Sequence, residues 1–167
     1  KGIKLNISSW RRPAPNTIPW DTKAAGLYMI CTLSKHEAEA QGFTDSLMLD
    51  HEGNVAEGTG ANIFFKSKSG ELHTPIPDSF LDGITRRTVI EIAASEQVPV
   101  KVINFKRDLL EKASEIFLTS TAGGIMPVSI LDGKPVGKGK PGPVYQKIYS
   151  EYWAAREKPE YTEKVNY

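Results

Sequence analysis

The sequence predicts a single domain of mixed α+β class, and three observations carry that prediction. Of its 167 residues 40% are hydrophobic and 25% charged, enough apolar matter to build one core. Segments of period two, the signature of strands, precede, separate and follow segments with helical spacing. They do so without the regular strand–helix alternation of a doubly wound sheet, which favours α+β over α/β.

Taken in order, Ile3, Leu5 and Ile7 alternate with Lys4, Asn6 and Ser8, so residues 3–9 are expected to form a half-buried strand. Pro13, Pro15 and Pro19 remove backbone donors and make 11–22 an ordered loop. Leu27, Ile30, Cys31, Ser34 and Ala38 share one helical face, leaving Lys35, Glu37 and Glu39 to solvent, with Gly42 as the stop. Leu47 and Leu49 mark a short strand, and the turn residues of 51–54 return 55–57 antiparallel to it. Residues 61–65 and 71–74 read as two strands joined by a polar loop that ends in Gly70. Thr85, Val89, Ile92 and Ala93 stripe a helix from 84 to about 96, 100–105 alternates as a strand, and 107–112 is a brief helix. Strands follow at 115–120 and 125–131, the second ending in an Asp132-Gly133 turn. Pro143 suits the first turn of a last helix, with Tyr145, Ile148, Tyr149 and Tyr152 on one face.

Several function classes are disfavoured by composition. Lys and Arg number 21 against 20 Asp and Glu, a net charge of +1, so neither nucleic acid nor an anionic membrane is expected as a partner. One cysteine, Cys31, cannot form an internal disulfide, and no apolar run approaches the length of a membrane span, which reads as a soluble, cytoplasmic protein. His36, His51, His73 and Cys31 share no metal-ligand spacing, so no metal is expected. The GxGxxG, GxxxxGK and GxSxG signatures are absent. The chain opens on Lys1 and enters a strand within ten residues, so it is expected to be part of a longer protein.

Four short stretches could support chemistry. Lys23-Ala24-Ala25-Gly26-Leu27-Tyr28 puts an amine at the mouth of a helix, where the positive dipole end favours the neutral form that attacks an aldehyde; the plain alternative is a surface lysine. Glu57-Gly58-Thr59-Gly60-Ala61-Asn62 sets a carboxylate at a strand end beside glycines that allow close approach, or else forms a simple tight turn. Leu81-Asp82-Gly83-Ile84-Thr85-Arg86 opens a helix whose first N–H groups and Thr85 hydroxyl suit an anion, as many helix starts would. Thr119-Ser120-Thr121-Ala122-Gly123-Gly124 offers hydroxyls and amides after a strand. An amine, a carboxylate and two anion cradles together match the needs of pyridoxal 5'-phosphate.

The segments SSWRRPAPNTIP, KAAGLY, DHEGNVAEGTGANIFF, FLDGITRRTVIEIA, EIFLTSTAGGIMPV and LDGKPVGKGKPGPV, in this order, resemble the large C-terminal domain of class IV (fold type IV) pyridoxal-phosphate aminotransferases, most closely the branched-chain amino-acid group. The resemblance implies a mixed sheet or pseudo-barrel with flanking helices over residues 1–167, with the family's small N-terminal domain outside this chain. It implies Lys23 as the Schiff-base residue and proton carrier, Tyr28 as a partner of the cofactor's phenolic oxygen, and Glu57 as the carboxylate facing the pyridine nitrogen. Leu81 is implied to pack against the ring, Ile84, Thr85 and Thr121 to hold the phosphate, and the amides of Thr121 and Ala122 to take the substrate carboxylate. The activity implied is ping-pong transamination between an amino acid, of branched-chain type first, and a 2-oxo acid, in a homodimer or higher homo-oligomer.

Two departures leave alternatives open. The branched-chain group commonly carries TAAE where this chain has Thr121-Ala122-Gly123-Gly124, and the AGGIMPV stretch and aromatic last helix are similar to (R)-selective amine transaminases. D-amino-acid transaminase and aminodeoxychorismate lyase are further alternatives. In the family the small domain supplies a phosphate-binding arginine and much of the pocket, so a cofactor-binding fragment without turnover is the reading of another class.

Overall fold

Strands with apolar residues on both faces need a core on each side, and the central strands here are of that kind. A computed structural model of the chain describes residues 2–163. Its elements in order are β1 (Ile3–Arg11), α1 (Ala25–Ala40), β2 (Asp45–Leu49), β3 (Val55–Gly58), β4 (Asn62–Lys66), β5 (Leu72–Thr74), α2 (Ile84–Ser95), β6 (Val100–Val102), α3 (Arg107–Leu110), β7 (Glu115–Ser120), β8 (Gly124–Leu131), β9 (Lys134–Pro135) and α4 (Pro143–Ala155). The strands form one mixed sheet in the order β3-β2-β1-β8-β7-β4-β5-β6, with β9 on β8. β3 pairs with β4 as well as β2, through Glu57 opposite Asn62, and this bends six strands into a closed ring. The α+β class and the pseudo-barrel with flanking helices expected from the sequence are what the chain adopts.

Side-chain alternation divides the strands between two cores. Inside the ring, Leu5, Leu47, Val55, Ile63, Phe65, Ile116, Leu118 and Val128 draw on every one of its strands. Outside it, Phe64 and Phe117, the intervening residues of β4 and β7, pack under α2 and α4 with Val89, Ile92, Tyr145 and Ile148. The two phenylalanine rings stack at 5.2 Å. That is why residues 63–65 and 116–118 are continuous apolar runs rather than alternating ones.

Three expectations are corrected in detail. The first strand runs to Arg11 and is not half-buried in the expected sense, because Asn6 and Ser8 are also covered. β1 lies between β2 and β8, and α1 sits on its outer face. There Asn6 Oδ1 accepts from Ser46 Oγ at 2.7 Å, and the Ser8 and Ser34 hydroxyls lie 2.7 Å apart, so small polar groups satisfy one another between sheet and helix. The strand expected over 100–105 stops at Val102, since Phe105 turns into the inner core against Phe65, 4.8 Å between ring centroids. On α4 the buried positions are Tyr145, Ile148 and Ala155, while Tyr149 is exposed. Burying Glu115 fixes that helix: its carboxylate accepts the N–H of Tyr145 at 2.8 Å, where the positive end of the helix favours an anion.

Among the described residues no helix is long and apolar enough to cross a membrane. Phe117 is wholly buried between two structural layers, so Phe117→Ala should lower the unfolding free energy in urea by about 3–5 kcal/mol. A loss below about 1 kcal/mol would show that α2 and α4 collapse into the space.

Candidate active site

The closing register of the ring also builds the floor of a cleft. Glu57 on β3 stands opposite Asn62 on β4, and Asn62 opposite Thr119 on β7, so one row of three polar residues faces outward from adjacent strands. Around this row opens a cleft of about 570 Å³, walled by the starts of α1 and α2, the 20–23 loop and the turn between β7 and β8. Outer-face residues of β1, β2, β4 and β7 are capped elsewhere by helices. Here the helices only begin, and the space between their N-termini stays open.

All eight residues singled out in the sequence line this cleft: Lys23, Tyr28, Glu57, Leu81, Ile84, Thr85, Thr121 and Ala122. Lys23 precedes Ala24, the N-cap of α1, and is exposed. Tyr28 lies one turn into that helix, 42% exposed. Leu81 is half-buried at the approach to α2, Thr85 is buried in its first turn, and Ile84 reaches outward at 70% exposure. Among the described residues nothing accepts a hydrogen bond from the N–H groups of Ile84 or Thr85, which leaves them as free donors at the positive end of the helix. Thr121 and Ala122 sit at the exposed tip of the β7–β8 hairpin.

Among the described residues Glu57 has the most perturbed carboxyl. Burial pushes it up to about 8, against the lowering pull of Arg12 and Lys23. Arg12 is 4% exposed and places Nε 3.4 Å from Glu57 Oε1. The same Nε donates to the Ser79 carbonyl at 3.1 Å, and Nη1 to Cys31 Sγ at 3.4 Å. Burial likewise raises the Cys31 thiol, so this cysteine is a packed wall group rather than a nucleophile.

Sequence reasoning gave no role to Arg12, Trp20 and Arg87, nor to Asn62 at the end of the Glu57 stretch, and all four also line the cleft. Arg12 sits among prolines in a stretch that reads as exposed, and only the fold carries it over Glu57. Asn62 had a readable signal: one amide directly before the apolar run Ile63-Phe64-Phe65, where a buried polar group requires a partner. Among the described residues no His, Cys, Asp and Glu side chains gather as metal ligands. The cleft can thus present an amine, a buried carboxyl that exchanges its proton near neutrality, and two sets of backbone and hydroxyl donors for anions.

Residues 1–131 match the family Amino-transferase class IV. Over 157 residues, 93% of this chain, the sequence is 40% identical to a probable branched-chain-amino-acid aminotransferase of Aquifex aeolicus, covering 50% of that protein. It is 40% identical over 154 residues to the branched-chain-amino-acid aminotransferase of Escherichia coli K12, spanning 92% of this chain and 50% of that one. A crystal structure of the T.th. branched-chain amino acid aminotransferase complexed with N-(5'-phosphopyridoxyl)-L-glutamate superposes with a TM-score of 0.91 at 41% identity, over 96% of this chain and 55% of that chain. The chain belongs to the class IV aminotransferases, and it spans about half the length of the curated relatives it matches.

The Glu57 environment sets a pH dependence. Its folded value of about 8 lies above the ordinary carboxylate range, so the folded chain binds the extra proton between the two. The stability it contributes is complete below the ordinary range, declines as pH rises and is lost above about 8. Relative to the wild type, Glu57→Gln should therefore gain on the order of 4 kcal/mol in urea unfolding between about pH 5 and about pH 9. A difference that stays flat with pH would mean that Glu57 titrates as an ordinary carboxyl.

Proposed function

We propose that this chain carries the pyridoxal 5'-phosphate site of an aminotransferase that moves an amino group between a branched-chain amino acid and a 2-oxo acid. The observation that carries the reading is the meeting of Lys23, the largely covered Glu57 and the free N–H groups of Ile84 and Thr85 in one cleft. Those residues fit the cofactor on their own chemistry. A carboxyl held protonated by burial regains its charge beside a cationic ring nitrogen, and unpaired amides at a helix start take a phosphate. The names of the relatives favour a branched-chain amino donor over an (R)-amine, a D-amino acid or a lyase substrate.

When bound, the cofactor supplies an electron sink that stabilises negative charge at the substrate Cα. In this reading Lys23 Nζ would hold the cofactor and, as a free amine, would carry the substrate Cα proton. Glu57 keeps the ring nitrogen protonated, with Arg12 beside it as counter-charge. Tyr28 Oη would hydrogen-bond the phenolic oxygen, Leu81 would pack on the ring, and Ile84, Thr85 and Thr121 would hold the phosphate. The amides of Thr121 and Ala122 receive the substrate carboxylate. Residues 1–167 act as one cofactor-bearing domain of a cytoplasmic homodimer.

Borohydride reduction of the cofactor-loaded protein followed by peptide mapping should place the label on Lys23, and Lys23→Ala should abolish it; trapping at this site in the variant would overturn the assignment. Glu57→Gln should still be labelled yet transaminate roughly a hundredfold more slowly or worse. With pyruvate and 2-oxoglutarate as acceptors, L-leucine should outpace D-alanine and an (R)-arylethylamine. A preference for either of the others would reassign the donor.

A further inference from the structure

α2 starts without a side-chain cap, because its N-cap is Gly83 and no side chain from its own turn bonds there. A helix end left in this way frays unless something outside it holds the backbone. Here the holder comes from the sheet. Asn62, 5% exposed on β4, accepts the Gly83 N–H on Oδ1 at 3.1 Å and donates from Nδ2 to the Leu81 carbonyl at 2.9 Å. The amide thus ties both residues that flank Asp82. From the other side Arg86 Nη1 donates to Asp82 Oδ1 at 2.7 Å, while its Nε and Nη2 are fastened to Thr74 Oγ1 and the Pro75 carbonyl. Residues 81–83 are clamped between a strand and the first turn of the helix they introduce.

The clamp is tight enough to dictate a residue. Gly83 has an ordinary φ of −66°, so its backbone does not call for glycine. A Cβ at this position, however, would lie 2.5 Å from Asn62 Oδ1. Asn62 takes the Gly83 N–H, and the next two donors, of Ile84 and Thr85, belong to residues that line the cleft and have no acceptor among the described residues. We infer that Asn62 is a positioning residue: it sets the direction of the two free N–H groups at the start of α2, and thereby the cleft's recognition of the ligand's phosphate as distinct from its ring. The inference rests on the pyridoxal-phosphate reading above and concerns how one part of that ligand is received.

Equilibrium binding to the cofactor-free protein tests it, with pyridoxal 5'-phosphate and pyridoxal, the same ring without the phosphate, as probes. In Asn62→Ala the Kd for pyridoxal 5'-phosphate should rise about tenfold, as expected for two lost hydrogen bonds, while that for pyridoxal stays within about twofold. Gly83→Ala should show the same selective loss by displacing the Asn62 amide. The double variant should be no worse than Asn62→Ala alone, since the clash needs both groups. Asn62→Asp, of equal size and able to accept the Gly83 N–H, keeps the test open if the alanine variant fails to fold; it loses the bond to Leu81 and should also weaken the phosphorylated probe selectively. Equal weakening of both probes, or of neither, would overturn the inference. Failure of the wild type to prefer the phosphorylated probe would instead sink the functional reading itself.

Discussion

The pairing of Glu57 with Asn62 joins β3 to β4 and turns an open mixed sheet into a ring. Closure determines which side of each strand is enclosed. The residues inside must fill a narrow volume, and Leu, Ile, Val and Phe from every strand of the ring do so. The residues outside depend on whatever helix lies above them. Where α1 covers them they are Asn6, Ser8 and Ser46, bonded to one another or to the helix. Where α2 and α4 cover them they are aromatic and aliphatic. Over the closing pair itself the helices begin, and the outward side chains are left facing a cleft.

That placement explains why so costly a group as the Glu57 carboxyl sits where it does. A carboxyl on the floor of a cleft, flanked by strands below and helix starts above, keeps little contact with water, its side chain being 13% exposed, and burial outweighs the two cations nearby. Arg12 relieves part of the cost, but its own hydrogen bonds to Ser79 and Cys31 tie it to the walls rather than to Glu57 alone. A fold selected for stability alone would place an apolar side chain here. The energy stored in an under-compensated carboxyl becomes available to a cationic ligand, and the free donors at the start of α2 offer the complementary attraction for an anionic one.

Much of this was legible in the linear sequence because its causes are local. The stripe Leu27, Cys31, Ser34, Ala38 marked α1, and Gly42, at a φ of +80°, followed its end as expected. The apolar segments at 61–65 and 115–120 marked strands, and the structure adds that both their faces are covered. Lys23, Glu57 and the 81–86 stretch were visible as candidates beside plainer structural alternatives, and only the resemblance to class IV aminotransferases implied roles for them. Asn6 and Ser8 were misread because period two reports that faces differ without telling which partner covers the polar one. Arg12 stayed hidden because a charged residue in a proline-rich loop has no local reason to be buried.

By itself, then, the sequence determined the element order apart from the short β9, the α+β class and the residue types that could do chemistry, since propensity and periodicity act along the chain, and its ordered motifs carried the family resemblance. Only the tertiary structure decided that β3 meets β4, that Arg12 lies against Glu57 and that Asn62 holds the start of α2 from a neighbouring strand. Each of these joins groups that are distant along the chain or belong to different elements. Their energies depend on burial and on distances of about 3 Å, which strand register and helix placement set together.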